Sequence, residues 1–463
     1  MYPEIFLERM KELLGAEFPD FLESLNGEPC RGLRRNPLKA EEEDFLLQSP
    51  FTLSPVPWAE HGFYYSSSDT PGKHPYHEAG LYYIQEPSAM SAVPHLELSP
   101  GEKVLDLCAA PGGKSTQIGC ALKGKGLLVS NEVHPTRAKV LSSNIERLGI
   151  TNSLIVNETP DRLAEFFPEF FDKILVDAPC SGEGMFRKNE EAVAQWNTDN
   201  VRLCAGRQDE VLVEAAKMLK PGGRLVYSTC TFAPEENEGT MDRFLSRHSE
   251  FTLLEMKRLY PHRIKGEGHF VSVLEKRDEA GNVSAGSFYI TENEASRKVK
   301  KDTALNNILK KAPTEFSDFL SDTFSETGAA FFHDCLLQET DGFFLFGEQL
   351  YLLPKGLPFL NGLKILRPGL HLGTLKNNRF EPSHGLALVL TEEHVKRSVC
   401  FSPESQEIKD YLEGLALNLP SDTFPELANQ KGWCLVLVDQ YSLGWGKLSG
   451  NLLKNHYPKG LRK

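Results

Sequence analysis

The sequence predicts an α/β chain built on a mostly parallel sheet with helices on both faces, flanked by N-terminal α+β and C-terminal β-rich segments. Two observations carry this. From about residue 100, short apolar runs near 103, 127, 153, 173 and 223 alternate with helical stretches after 115, 135, 161 and 205, and strands that alternate with helices pair in parallel. Beyond Ala312 the pattern changes to short β-like runs, Gly342–Phe346 and Gln349–Leu353 among them, with turns at Pro354, Pro358, Gly362 and Gly369.

Residues 1–95 open on a helical period (Ile5, Phe6, Met10, Leu13, Leu14) and contain Leu33-Arg34-Arg35-Asn36-Pro37-Leu38-Lys39. The core is expected at 96–278. Its first strand, Lys103–Leu107, breaks into Cys108-Ala109-Ala110-Pro111-Gly112-Gly113-Lys114-Ser115-Thr116, a small-residue turn into a helix, where a ligand can approach free backbone N–H groups. Gly113-Lys114-Ser115 imitates the end of a nucleotide-triphosphate loop, but Cys108 stands where that motif needs its first Gly. A dinucleotide fingerprint is absent as well. Glu132, closing the second strand, is of the type that accepts from both ribose hydroxyls of a nucleoside cofactor. S-adenosyl-L-methionine, with an adenosine and a sulfonium but no phosphates, suits such a loop.

The fourth and fifth strands each end in a cysteine: Lys173–Val176 runs into Asp177-Ala178-Pro179-Cys180, and Arg224–Tyr227 into Ser228-Thr229-Cys230. An open parallel sheet binds ligands beyond its strands' C-terminal ends. Asp106, Glu132, Asp177 and Cys230 all fall there, implying one site. Residues 279–312 read as a linker or mobile loop, 313–390 as a small β-rich domain and 391–463 as a last domain with a basic tail.

Composition sets limits. The 463 residues suffice for two to four domains, and no apolar run reaches the 18 or so residues of a membrane helix. The start, with Glu4, Glu8 and Arg9, does not read as a signal peptide, so a cytoplasmic protein is expected. Nine cysteines without a Cys-x-x-Cys pair argue against a disulfide framework and against zinc, so no metal is expected. The 64 acidic and 51 basic residues leave a net charge of −13, which is awkward for a nucleic-acid binder, although distribution outweighs the sum. Arg31, Arg34, Arg35 and Lys39 cluster without an acid among them; Arg297, Lys298, Lys300 and Lys301 form a second cluster, and the tail from Leu443 has no Asp or Glu. RNA contact is expected of the first and third clusters.

The motifs Asp106–Ser115, Asp177–Cys180, Gly206–Gln208, and Ser228–Cys230 with Pro234–Glu238 occur in the order that characterises the NOL1/NOP2/Sun family of RNA (cytosine-5) methyltransferases, which this chain resembles over roughly Arg34 to Lys276. The tail, from Gly432-Trp433 to Arg462, is similar to that of the family's bacterial RsmF group. The resemblance implies a class I, Rossmann-like methyltransferase core whose antiparallel edge is supplied by Phe251–Leu254 and His269–Leu274, and a PUA-like RNA-binding domain at 391–463. It implies that 16S ribosomal RNA, within the small subunit, is methylated near the decoding region, by a monomer with no obligate protein partner.

By the same resemblance Cys230 is the nucleophile, Cys180 assists proton removal or the release of Cys230, Asp177 holds the cytosine edge, and Lys114 either orients that carboxylate or lowers a thiol's pKa. A Pro-Cys nucleophile at Cys180, as in DNA cytosine-5 methyltransferases, is the alternative. Cofactor contacts fall to Cys108, Ala109, Ala110, Pro111, Gly112, Gly113, Lys114, Glu132, Arg137, Thr159 and Asp177. Thr159 stands where many members carry an Asp for the adenine amino group, and Glu158 or a backbone group is the substitute. RNA contacts fall to Arg34, Arg35, Asn36, Arg187, Lys188, Lys447, Lys454, Lys459 and Arg462. Phe186 or Tyr83 either stacks on a base or belongs to the core.

Overall fold

The computed structural model describes residues 2–278, 308–309, 312–358, 361–376 and 378–463. Apart from 308–309 and 312, the expected linker lies outside the described residues, and so does the cluster of Arg297, Lys298, Lys300 and Lys301.

The centre is an eight-stranded sheet. Its strands are β1 (Lys103–Asp106), β2 (Leu127–Asn131), β3 (Ser153–Val156), β4 (Phe171–Asp177), β5 (Leu219–Thr229), β6 (Phe251–Leu259), β7 (His269–Lys276) and β8 (Ile365–Arg367). They lie in the order β6-β7-β5-β4-β1-β2-β3-β8. β1 to β5 pair in parallel, while β6, β7 and β8 are antiparallel additions. Strands buried on both faces read as mainly apolar runs: every residue of β2 and β3 is buried, with only Ser130, Asn131 and Ser153 polar among them. The helices α1 (Gly113–Leu122), α2 (Pro135–Arg147), α3 (Pro160–Phe166), α4 (Thr198–Met218) and α5 (Glu238–Arg247) cover the sheet. On one side Leu105, Val129 and Ile174 pack with Leu212 and Phe244; on the other Val104 and Leu128 pack with Ile118 and Leu141. The order reverses between β4 and β1, which places the switch point beside the loop after β1.

β8 departs from the sequence reading. It comes from the stretch expected as a separate small domain and pairs with the outer edge of β3, Ile365 opposite Val156. Three half-buried residues carry no periodic signal to announce such a strand.

The flanking parts share cores with this sheet and with one another. A four-stranded N-terminal sheet runs Leu53–Pro55, Gly62–Tyr65, Gly32–Arg35, Tyr82–Ile84. Its Leu33 and Tyr82, with Tyr76 of the short helix Pro75–Glu78, pack with Val436 and Tyr441 of the last sheet and with Tyr457 just beyond it, and the Tyr441 hydroxyl donates to Gln48 Oε1 at 2.8 Å. The C-terminal region holds two five-stranded sheets, one over 308–382 and one over 398–455. Among the described residues no helix is long and apolar enough to cross a membrane, and no group of three His, Cys, Asp or Glu is placed to hold a metal ion.

Two aromatic alternatives close here. Phe186 packs with Phe6, Phe21 and Trp196, and Tyr83 lies in the core near Ala109 and Ile118; both are buried.

Candidate active site

The loop after β1 is built to leave space. Gly112 sits at φ 113°, a conformation glycine adopts without strain, and a Cβ on Gly113 would come within 3.2 Å of Tyr83 and Gln85. The Ala110–Pro111 bond is cis. Arg137 at the start of α2 donates to the Ala110 carbonyl at 2.7 Å and stands 3.4 Å from the Glu132 carboxylate, tying the loop to the end of β2. Glu132 is buried and also accepts from the His134 N–H at 2.9 Å.

Asp106, fully buried at the end of β1, accepts from Ser115 Oγ at 2.6 Å through one carboxylate oxygen. The other oxygen, Oδ1, has no partner among the described residues. Burial pushes this carboxyl up to about 7, the Ser115 bond opposing. A buried acceptor left open is costly, and a cationic ligand group would satisfy it. The Cys108 thiol is also pushed up by burial, with Asp106 and Asp177 adding to the effect.

The cysteine pair forms because β4 and β5 are neighbours with Asp177 opposite Ser228. Three residues past Asp177 and two past Ser228, the thiols of Cys180 and Cys230 lie 3.3 Å apart. Asp177 accepts from Lys114 Nζ at 2.8 Å and from Ser228 Oγ at 2.8 Å. Burial is the largest influence and opposes its ionisation, but Lys114, His269 and Ser228 together outweigh it and the carboxyl is held below its usual range. Lys114 is thus buried in α1 yet reaches across the switch point. The Cys180 thiol is pushed well above its ordinary value, first by its hydrogen bond with Cys230, then by burial, then by electrostatic repulsion from Cys230 and last from Glu236, whose own carboxyl burial pushes up to about 7. These surroundings favour the protonated form of Cys180.

Three residues close to the site had no role in the sequence reading. Glu236, buried, accepts from the Ser181 N–H at 3.0 Å, from the Ser181 hydroxyl, and from Gln208 Nε2 at 2.9 Å. Gln208 also donates to the Pro179 carbonyl at 3.0 Å, the expected bracing of the Cys180 loop from α4. Glu183 accepts from the Phe232 N–H at 3.0 Å and supports the loop after Cys230. His269 at the start of β7 is buried, with Nε2 3.8 Å from Asp177 Oδ1, and burial drives its imidazole down to about 3. In the sequence Glu236 stood only within the motif Pro234–Glu238, His269 only as the first residue of the edge run His269–Leu274, and Glu183 only as the start of the loop after Cys180.

Other expected contacts fall elsewhere. Thr159 is exposed at the start of α3. Glu158 is buried and accepts from the Lys364 N–H at 2.7 Å, so it braces the approach to β8. Arg34, Arg35 and Asn36 do not face solvent. Arg34 donates to the Gly113 carbonyl at 2.9 Å, to Thr116 Oγ1 at 2.7 Å and to Gln85. Arg35 binds the Ala40 carbonyl, and Asn36 donates to the Gly80 and Leu148 carbonyls at 2.8 Å. The strand Gly32–Arg35 is covered on both faces, so its charges bond inward rather than to RNA. Arg187 is also internal, paired with Glu267 at 2.6 Å and bonded to the Ser24 and Gly266 carbonyls. Lys188 stands 3.9 Å from the same Glu267. Lys447, Lys454, Lys459 and Arg462 are exposed; Lys447 Nζ lies 5.0 Å from the centre of the Trp433 ring.

Four family descriptions match successive parts of the chain: the N-terminal domain of 16S rRNA methyltransferase RsmF over 2–87, 16S rRNA methyltransferase RsmB/F over 93–281, the RsmF rRNA methyltransferase first C-terminal domain over 330–390 and the methyltransferase RsmF PUA domain over 398–463. Ribosomal RNA small subunit methyltransferase F of Vibrio vulnificus is 32% identical over 99% of this chain and 97% of its own. A solved methyltransferase homologue from Pyrococcus horikoshii is 31% identical, with a TM-score of 0.54, over 59% of this chain and 95% of its own. NSun6 from the same organism, solved with SFG, is 23% identical with a TM-score of 0.54 over 60% of this chain and 99% of its own, and shares the fold. With relatives aligned from one end to the other and the class I strand order at its centre, the chain belongs to the RsmF branch of the 16S rRNA methyltransferase family.

Proposed function

We propose that the protein uses S-adenosyl-L-methionine to methylate carbon 5 of cytidine in 16S ribosomal RNA, in the cytoplasm and on the small subunit near its decoding region, through a covalent bond from Cys230 to carbon 6. The observation that carries this reading is the thiol pair at 3.3 Å beside an ionised Asp177. Carbon 5 of cytosine is a poor nucleophile until a thiolate adds at carbon 6. That chemistry calls for one thiol to attack, a second to manage protons, and a carboxylate at the base edge. Cys230 takes the first task by its place in the family's Thr-Cys motif, and the surroundings of Cys180, which favour its protonated form, suit it to the second. Asp177, fixed by Lys114 and Ser228, supports N3 as charge develops there.

The residues present fit the cofactor. When bound, S-adenosylmethionine supplies the methyl group that carbon 5 takes up. Glu132 would hold its ribose, and Asp106 with the loop from Cys108 to Gly113 its methionine end. The unpartnered Asp106 Oδ1 awaits a cation such as the methionine ammonium. Asp106 is protonated below about 7 and ionised above it, so cofactor affinity should fall as pH drops from 8 to 6, by up to about tenfold per unit at the acid end. D106N, neutral at every pH, should bind weakly with a flat profile. Calorimetry across this range checks both; equal slopes for the two proteins would remove Asp106 from cofactor binding.

RNA affinity is assigned to Lys447, Lys454, Lys459 and Arg462. Deleting 391–463 would open the core these residues share with Leu33 and Tyr76, so charge-removing substitutions are the cleaner test. A K447A/K454A/K459A variant should bind 16S RNA more weakly, with the slope of log affinity against log salt smaller by about 1 for each lysine that touches a phosphate. An unchanged slope would move the RNA surface elsewhere.

The reaction itself is tested by bisulfite sequencing of 16S RNA from cells with and without the gene, and by methylation of naked 16S RNA and of isolated small subunits with labelled cofactor. A 5-methylcytidine that disappears with the gene supports the proposal. A methylated base other than cytidine, or no difference, overturns it.

A further inference from the structure

The loops that carry the two thiols meet at a buried carboxylate that the reaction outlined above does not use. Glu236 has no exposed surface, yet it accepts three hydrogen bonds: from the N–H and the hydroxyl of Ser181, next to Cys180, and from Gln208. The Ser181 hydroxyl also lies 2.8 Å from Thr231 Oγ1, next to Cys230. The chain of contacts therefore runs from one cysteine loop, through Ser181, to both the other loop and Glu236. Gln208 adds a further tie, since the same amide reaches Glu236 and the Pro179 carbonyl. Asn237 completes the frame on the Cys230 side, donating to the Thr231 carbonyl at 2.9 Å while accepting from Thr229 Oγ1 at 2.6 Å.

We infer that Glu236 is a positioning residue for the release step: it holds the Cys180 loop so that the Cys180 thiol stays against the Cys230 sulfur. The inference rests on the reading of Cys230 as nucleophile and Cys180 as its release partner. In that step the C5–H electron pair restores the ring double bond and the C6–S bond breaks, its pair leaving with the Cys230 sulfur. The Cys230 sulfur takes the Cys180 proton, and the Cys180 sulfur takes the proton from carbon 5. The exchange needs both sulfurs within reach of one another and Cys180 protonated beforehand. The position of Glu236 serves the first need, because its hydrogen bonds fix the Cys180 loop against the loop that carries Cys230.

The attack on carbon 6 needs only Cys230, so the two steps respond differently to Glu236. In E236A the three donors lose their acceptor and the Cys180 loop is released. Turnover on 16S RNA should fall by about 10²-fold, the size of effect a misplaced reacting group produces, while adducts that survive denaturation accumulate and cofactor affinity is unchanged. E236Q keeps an acceptor for the Ser181 N–H and for Gln208, and should recover most of the turnover with little adduct. E236D, with the carboxylate withdrawn by one methylene, should resemble E236A and serves in its place if E236A does not bind cofactor. Wild-type levels of adduct in E236A or E236D would overturn the inference, as would E236Q and E236A accumulating adduct equally. Failure of the underlying reading looks different: C180A itself would then trap no adduct.

Discussion

C180A is expected to accumulate an enzyme–RNA adduct that survives denaturation, and C230A to form none. Both should lose turnover, C230A by at least about 10³-fold, since it removes the covalent route itself, and C180A by about 10²- to 10⁴-fold, the usual worth of a positioned proton donor or acceptor. Mixing each variant with cofactor and 16S RNA, then resolving the products on a denaturing gel, separates the roles. The geometry alone is nearly symmetric, with the sulfurs 3.3 Å apart. The hydrogen bond to Cys230 and then burial favour the protonated form of Cys180, and the family's motif order gives the attack to Cys230. The reverse pattern, with the adduct trapped in C230A, would assign attack to the Pro-Cys thiol.

The second large effect is expected at Arg34. Burial pushes its guanidinium down to about 10, so it stays charged at neutral pH. It binds the Gly113 carbonyl, Thr116 and Gln85 beneath the cofactor loop. R34M keeps much of the volume but leaves those acceptors without their donor. A loss of about 2 to 4 kcal/mol in stability is expected from the broken buried network, read from urea denaturation, together with weaker cofactor binding as α1 loosens. The salt dependence of RNA affinity should not change, because Arg34 has no phosphate to neutralise. Intact stability with a reduced salt slope would return Arg34 to the RNA surface.

The contrast between these two sites shows what was legible in the sequence. Both cysteines end apolar runs that can only be buried strands, and strand ends in a parallel sheet converge on one side, so Asp106, Glu132, Asp177, Cys180 and Cys230 were placed from pattern alone. The chain order of strands and helices in the core followed from the same alternation. Arg34 and Arg35 read as a surface cluster because charges are solvated by default. Their strand, Gly32–Arg35, has neighbours on both edges and packing on both faces, a fact that depends on partners far away in the chain. Glu236 and His269 were silent for the same reason: nothing local to either residue announces Ser181, Gln208 or Asp177 as its neighbour. β8 was missed because three residues are too few to show a period.

β8 also has a consequence for how the molecule is made. The outer edge of β3 offers unpaired N–H and C=O groups until Ile365–Arg367 arrives, and open edges invite pairing with other chains. During synthesis the first seven strands of the catalytic sheet, made by Lys276, must wait for nearly ninety further residues before that edge is sealed, at roughly 5–20 residues per second. The C-terminal region therefore acts as a late-arriving selvedge for the enzyme it follows, and a nascent chain is most vulnerable to mispairing in the interval before it emerges.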